Sequence, residues 1–479
     1  TGAERDMLAR LSVFAGGFDL AACEAVTVGA DIVADDVMTL LAALVDKSLV
    51  QFDEVGGGPA RYRLLETMRQ FAAQRLHEQG SIPADAAGAN HRDHYLTLAE
   101  ATAPKLIASD QAVWFDRLDA ELGNLRAATA FSLRHADPEP GLRLAGSLRI
   151  FWRARGHAAE AADSLRALLD LPAVNEPGAE RAQALAAAAT LVEQPVAADA
   201  YCAEAMRIAE AMGDDHLIGD IVAIRAFRLI QAGQNAAALP LVENALALAR
   251  RLGDRHLTAR LLDDRSYALD SEGDHAAADR DAAESLDLFR RLGDLRETGR
   301  VLSNLAYGEA GAGKLELARA HLAESLGIHR GLKDNHGVVY ASLNLGIAEY
   351  LSGSPAAAAS LFAESLQLAR RLFLGEGMGY ALLGLAMIRN GPEAANRSAQ
   401  LHGAADKALD AFGRTPQPLE TQLRDADRER LRAAMGAQAF EAGYAAGRAL
   451  TIEQAIELAL SGESPVGDQA SDAIAADVA

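Results

Sequence analysis

The chain has 479 residues, with 67 acidic against 46 basic side chains and a formal net charge of -21. That surplus of carboxylates excludes a general nucleic-acid surface, because a phosphate backbone is bound mainly by Lys and Arg that release counterions. Half of the residues are hydrophobic and only 5% are aromatic, so the core is built from Ala, Leu and Val, a mixture suited to closely packed helices. The length exceeds one ordinary core, which calls for several domains or one elongated array. No apolar run of about 18 residues is present, so no transmembrane helix and no membrane contact are expected. The start lacks the order of a secretory signal. Thr1-Gly2-Ala3 opens without Met, as in a chain cut from a longer one. Cys23 and Cys202 lie far apart and fit buried reduced thiols in a cytoplasmic protein.

Residues 1–80 predict a small winged-helix-like domain. Leu8, Leu11, Val13 and Phe14 form a short helical apolar set ended by Gly16-Gly17. Asp19 is placed to cap a second helix, and a third starts at Asp35 with Val37, Leu40, Leu41 and Leu44 on one face. The period then changes from helical towards two. Ser48 to Asp53 reads as a strand, Gly56-Gly57-Gly58-Pro59 as a loop, and Arg61 to Leu65 as a returning strand, before another helix over Glu66 to His77. A winged helix raises the question of DNA, and charge answers it. Residues 1–80 hold seven basic and twelve acidic side chains, and the candidate recognition helix carries three Asp and no basic residue. A phosphate-lined groove repels such a helix, so packing against a protein domain, with no direct DNA contact, is the expectation.

Residues 81–175 read as linker helices and first hairpins, and residues 176–395 as a repeat array. Ala211-Met212-Gly213-Asp214 returns at 251 and 291 as Arg-Leu-Gly-Asp, and weakens to Gly-Leu-Lys-Asp at 331 and Arg-Leu-Phe-Leu at 371. Every step is 40 residues. Gly233, Gly273, Gly313 and Gly353 form a second ladder, and Ala-Glu-Ser at 283, 323 and 363 closes a third that starts at Ala203 and Glu243. Each period reads as two helices, with glycine in the left-handed turn between them. One such hairpin cannot bury its apolar face alone, so neighbours stack into an α-solenoid. Residues 396–461 read as C-terminal capping helices, and 462–479, rich in Gly, Asp and Ala, as a disordered tail.

Helical hairpins of this Gly-then-Ala pattern resemble tetratricopeptide repeats lengthened from 34 residues to 40. In such arrays the first helices line a concave groove. The resemblance makes Arg225, Arg265, Asn304 and Asn344 candidate groove residues, with Tyr267 and Tyr307 beside them. The alternative is that the Asn side chains bond between neighbouring helices and the aromatics fill the packing between repeats.

No catalytic residue is expected from the sequence. His91 and His94 have the spacing of a helical metal pair without a third ligand. Asp263-Asp264 and Asp214-Asp215 read as solvated caps at helix boundaries. No Gly-x-x-x-x-Gly-Lys-Ser/Thr occurs.

Three runs carry a wider resemblance: Leu11-Ser12-Val13-Phe14-Ala15-Gly16-Gly17-Phe18, Leu41 to Val50, and Tyr62-Arg63-Leu64-Leu65-Glu66-Thr67. They resemble bacterial signal-transduction ATPases of the NB-ARC/STAND type, found in large LuxR-type, antibiotic-regulatory-protein-type and cyclase-linked transcriptional regulators. His94-Tyr95, Trp114 to Arg126 and Phe440 to Leu460 resemble the linker helices and helical arm of the same proteins. The resemblance implies a non-catalytic sensor and autoinhibitory arm. It implies an upstream nucleotide-binding domain in cis, ATP or ADP held only there, and a protein, peptide or small-molecule effector. A freestanding scaffold that binds a peptide or partner protein in its groove is the alternative.

Overall fold

The computed structural model describes residues 1–29, 31–53, 60–172, 178–388, 392–413 and 416–461. The chain is mainly α and divides into two compact units, Thr1–Leu305 with Glu324–Gly337, and Ala306–Ala323 with Val338–Ala479.

The first unit begins with the winged-helix-like domain. Helix α1 (Gly2–Arg10) is opened by a capping box between Thr1 and Glu4 and runs into a 3-10 turn at Leu11–Val13. The chain then enters β1 (Gly17–Phe18), α2 (Leu20–Thr27), α3 (Ala34–Asp46), β2 (Gln51–Asp53), β3 (Arg61–Arg63) and α4 (Glu66–Glu78). Asp19 caps α2 by accepting from Ala22 N, as expected. The strand β1 was not expected. Gly16 does not simply stop a helix; at φ +138 it turns the chain so that Gly17 and Phe18 pair with Arg63 and Tyr62. The antiparallel sheet has the order β1-β3-β2. The Gly56–Pro59 loop and the 462–479 tail lie outside the described residues.

Next come α5 (Ser81–Thr102), α6 (Gln111–Arg134), α7 (Pro138–Ser147), α8 (Arg149–Ala154), α9 (Ala158–Leu169), α10 (Ala179–Leu191) and α11 (Pro195–Met212). One apolar core runs without a break from Met7 and Phe14 through Phe115, Leu125 and Trp152 to Ile224. The winged-helix domain and these first arm helices therefore share a single interior.

Hairpins on the 40-residue period follow: α12 (Asp215–Gln231) with α13 (Asn235–Leu252), α14 (Arg255–Ser271) with α15 (His275–Leu292), α16 (Leu295–Gly311) with α17 (Leu315–Gly331), α18 (Asn335–Leu351) with α19 (Pro355–Arg371), and α20 (Gly375–Met387) with α21 (Pro392–Ala411). Each ladder has its physical cause. Gly273 sits at φ +91, and the other turn glycines share the left-handed region. Asp214, Asp254, Asp294 and Asp334 each accept a backbone N–H three residues on, at 2.9–3.1 Å, and so cap the next helix. Ser285, Ser325 and Ser365 each donate to a backbone carbonyl 26 residues back, on the first helix of the same hairpin. At 333 and 373 the ladder glycine is replaced, yet Lys333 and Phe373 keep φ +53 and +56.

The second unit closes with α22 (Pro418–Met435), α23 (Ala437–Ala449) and α24 (Ile452–Leu460). Its buried residues Ala306, Ala310, Ala318, Leu322 and Ala348 form one cluster, with Leu419 packed against it. Among the described residues no helix is long and apolar enough to cross a membrane.

Candidate functional site

Polar side chains on first helices of the first unit form a ring of charge pairs. Arg149 of α8 donates to Asp220 of α12 at 2.7 Å, and Asp220 pairs with Arg260 of α14 at 2.8 Å. Asp263, on the same helix as Arg260, accepts from Arg300 Nη1 of α16 and from Asn304 Nδ2 at 2.8 Å. Arg300 Nε binds Glu297 at 2.7 Å, and Arg296 binds Glu297 at 2.7 Å and Asp334 at 3.1 Å. Arg153 Nε donates to His336 Nε2 at 3.3 Å, which returns the circuit to α8. Helices far apart in sequence thus present these groups to one another. The side chains of Arg149, Arg260 and Arg300 remain 21–31% exposed.

Electrostatics follow from this enclosure. Two arginines hold the Asp220 carboxyl far below the usual carboxylate range, against the cost of its desolvation. Arg296 with His329 does the same for Asp334, and Arg300 with Arg296 for Glu297. Burial keeps His336 neutral, well below an ordinary histidine. Burial also raises the Asp263 carboxyl and pushes that of Asp264 up to about 7. Buried pairs of this kind contribute little net stability over apolar packing, and perturbed acidities collect at functional sites.

The acids at 263 and 264 correct the reading from sequence. They lie in the middle of α14, not at a helix boundary, and are 1% and 4% exposed. Asp214, by contrast, is a cap as expected.

The candidate groove residues are not gathered at one place. Asn304 joins the ring through Asp263. Arg265 makes a two-pronged pair with Asp281 of its own hairpin at 2.6 and 2.8 Å. Arg225 is exposed on α12. Tyr267 packs against Ile230, Ala238 and Ala268. In the second unit, the Tyr307 hydroxyl donates to Glu420, and Asn344 is half-buried. The ladder that singled out Asn304 and Asn344 holds Asp264 one step back, and Asp220, Arg260 and Arg300 form another at the same period.

A second feature ties this array to the winged-helix domain. At one end of α6, Gln111 donates to Asp294 Oδ1 at 3.3 Å and accepts from Arg296 N at 3.2 Å. Arg155, bound to Asp119 of α6, donates to the carbonyls of Leu332 and Lys333 at 2.5 and 2.9 Å. The Lys333 ammonium reaches Asp116 at 2.9 Å. Further along α6, Glu121 accepts from Arg61 at 2.5 Å and from the Tyr95 hydroxyl at 3.0 Å. Asn124 accepts from Ala15 N at 2.9 Å and donates to Gly17 O at 2.8 Å. A side chain at Gly123 would lie 1.9 Å from the Ala15 carbonyl, so only glycine allows this approach. One helix therefore grips the repeat turns and, about 20 Å along its axis, the winged-helix domain.

His91 is buried against Phe14 and Tyr95, and burial lowers its pKa to about 4. Among the described residues no group of three or more His, Cys, Asp or Glu is placed to hold a metal ion. Both cysteines are buried and free, with thiols pushed up to about 12 at Cys23 and about 11 at Cys202.

Residues 2–77 match the winged helix-turn-helix domain family, and residues 297–371 match the tetratricopeptide repeat family. A stretch of 170 residues is 39% identical to candidate HTH-type transcriptional regulators of Mycobacterium tuberculosis and Mycobacterium bovis, covering 36% of this chain and 19% of theirs. A stretch of 95 residues is 43% identical to an uncharacterized Mycobacterium tuberculosis protein, covering 20% of this chain and 23% of that one. The chain thus spans about a fifth of the length of the curated relatives it matches. Among solved structures, a STAND protein with a tetratricopeptide repeat sensor from Pyrococcus horikoshii aligns over 93% of this chain and 65% of its own, at TM-score 0.48 and 13% identity. A Rap protein complexed with competence and sporulation factor aligns over 71% and 99%, at TM-score 0.44 and 14% identity. The chain carries a winged helix-turn-helix domain followed by tetratricopeptide repeats.

Proposed function

We propose that this chain is the non-catalytic sensor and autoinhibitory arm of a STAND-type transcriptional regulator of the NB-ARC kind, acting in the cytoplasm. The winged-helix domain rests on a nucleotide-binding domain upstream in the same protein, and that domain alone holds ATP or ADP. The repeat array takes up a protein, peptide or small-molecule effector and biases the closed state. The observation that carries this reading is the double grip of α6. Any rearrangement of the turns at 293–296 and 332–334 pulls on Gln111, Asp116 and Asp119, and through the same helix on Glu121 and Asn124 beneath the winged-helix sheet. The outer residues Asp35, Asp36 and Asp46 of α3 favour a protein partner over DNA.

The test compares this chain with the natural protein extended upstream by about 300 residues, the scale of an added domain. The extended form binds ATP, and Arg155→Ala, which removes the link between Asp119 of α6 and the turn at 332–333, accelerates nucleotide exchange. An extended protein that binds no nucleotide overturns the proposal in favour of a freestanding scaffold. Exchange unchanged by Arg155→Ala overturns the role given to α6.

A further inference from the structure

Helix α22 is long but shallowly buried. Of its 18 residues only Glu420, Asp427 and Leu431 are buried, and two of those three are carboxylates. Asp427 accepts from His402 Nε2 of α21 at 2.8 Å and pairs with Arg430 at 2.6 Å. The seam is incompletely satisfied, because His402 Nδ1 and Arg428 Nε are buried without a partner. The first turn of α22 touches helices well before α21 in the chain. Leu419 packs on the apolar cluster of Ala306, Ala318 and Ala348, which Leu315, Leu345 and Leu351 also border. Glu420 accepts from the Tyr307 hydroxyl of α16. Apart from that hydroxyl its carboxyl meets its own backbone N–H, and no cation pairs with it among the described residues; burial raises it above the ordinary glutamate range. A helix that serves only to close a stack needs its last hairpin, here α20 with α21. This one reaches the hairpin of α16, two earlier, at a tyrosine the sequence marks as a groove residue.

We infer that the first turn of α22 is a displaceable plug in the repeat array, holding the place of an acidic peptide that presents a leucine-like side chain beside a carboxyl group. An element with one fully buried leucine opens locally at far less cost than the whole fold, and buried carboxylates add little net stability to hold it. The turn also keeps its own shape. Thr421 Oγ1 donates to the Pro416 carbonyl at 3.0 Å and Thr421 N to the Gln417 carbonyl at 2.8 Å, so Leu419 and Glu420 leave together. Because the chain itself fills the place, its segment shows what a competitor looks like. A carboxyl repeats the bond of Glu420 to the Tyr307 hydroxyl; an ammonium group, which only donates, does not. An apolar side chain restores what Leu419 covers. The inference rests on the sensor reading of the array and adds the chemical class of the effector.

The probe is a fluorescent peptide of residues 416–435, added to the full chain. Leu419→Ser with Glu420→Ala in the chain empties the place. That double variant binds the peptide about tenfold or more tightly than the unsubstituted chain, whose own segment competes at high effective concentration. Adding Tyr307→Phe reverses the gain, and a peptide carrying Leu419→Ser and Glu420→Ala does not bind. In the unsubstituted chain, native-state hydrogen exchange at residues 418–423 runs about tenfold or more faster than in α18. If the double variant loses its helical circular dichroism, Leu419→Ser alone replaces it and speeds exchange at 418–423 by about threefold or more. Exchange at 418–423 that occurs only with global unfolding, or peptide binding no tighter in the variant, overturns the inference. Peptide binding without any effect on nucleotide exchange in the extended protein keeps the plug and removes the sensor reading. Exchange that responds to Arg155→Ala, in a protein whose double variant ignores the peptide, does the reverse.

Discussion

Gly273 and Gly293 allow the grip of α6 to be measured against an internal control. Both are turn glycines in the left-handed region, at φ +91 and +76. A Cβ at Gly273 meets open space. Gly273→Ala therefore costs only the left-handed backbone preference, about 1–2 kcal/mol, less the few tenths recovered from a stiffer unfolded chain. A Cβ at Gly293 lies 2.7 Å from the Ser109 Cβ, 3.0 Å from its Cα and 3.1 Å from its nitrogen. Backbone has to move there, and overpacking of this kind costs a further ~1–3 kcal/mol. Gly293→Ala is thus expected to lose about 2–4 kcal/mol, and to loosen the start of α6 as well. Urea denaturation of the two variants gives the difference, and hydrogen exchange over residues 108–116 gives its location. Equal losses, or exchange at 108–116 unchanged by Gly293→Ala, refute the docking of α6 on the repeat turn.

Three further outcomes follow from the same packing. Phe373 holds φ +56 with its side chain 78% exposed, so Phe373→Gly is expected to stabilise the chain by about 1 kcal/mol, seen as a raised thermal midpoint. Asn124→Ala leaves the Ala15 N–H without its partner and takes one of two donors from the Gly17 carbonyl, which Arg61 still serves, and is expected to cost about 1–3 kcal/mol in denaturant unfolding; a loss below about 0.5 kcal/mol contradicts the grip on the winged-helix domain. Burial raises the pKa of the folded Asp264 carboxyl to about 7, from an ordinary aspartate value of 3.8. Its contribution is fully present below pH ~4 and is lost as pH rises to ~7, up to about 4 kcal/mol. Asp264→Asn should therefore gain stability over the unsubstituted chain across that window, and a pH-independent difference between the two argues against a strained carboxylate.

The repeat was legible because its causes are local. A left-handed turn takes glycine, a helix start takes Asp, and a serine about three turns into the second helix finds the equivalent carbonyl in three successive hairpins. Each imprints one residue type at one spacing. Tertiary pairing leaves no such imprint, and there sequence reading fell short. The two residues of β1 are too few for a period of two, and only their pairing with Arg63 and Tyr62 makes them a strand. The ring is half legible: Asp220, Arg260 and Arg300 stand 40 apart, as do Asp264, Asn304 and Asn344. The ladder gives the position, but charge at that position varies from repeat to repeat. Which carboxylate finds a guanidinium depends on helices brought together from residues 149 to 336.

That distribution of signal bears on how an effector could be read. In a stack of hairpins each repeat contacts its neighbours, and a disturbance decays along the array unless something spans it. Here α6 bypasses the stack. Gln111 reaches the cap of α16, and Lys333 reaches Asp116, both about 180–220 residues away in sequence yet one helix away from Ala15 and Gly17. The same capping residues bound the charge ring: Asp334 caps α18 and pairs with Arg296, whose own backbone N–H is held by Gln111. A ligand that alters the pairing of Arg296 would therefore act on a residue one hydrogen bond from the helix that carries the winged-helix domain. Coupling needs no change in the rest of the array, and breaking the Gln111 contact alone should uncouple the two ends while leaving ligand affinity intact.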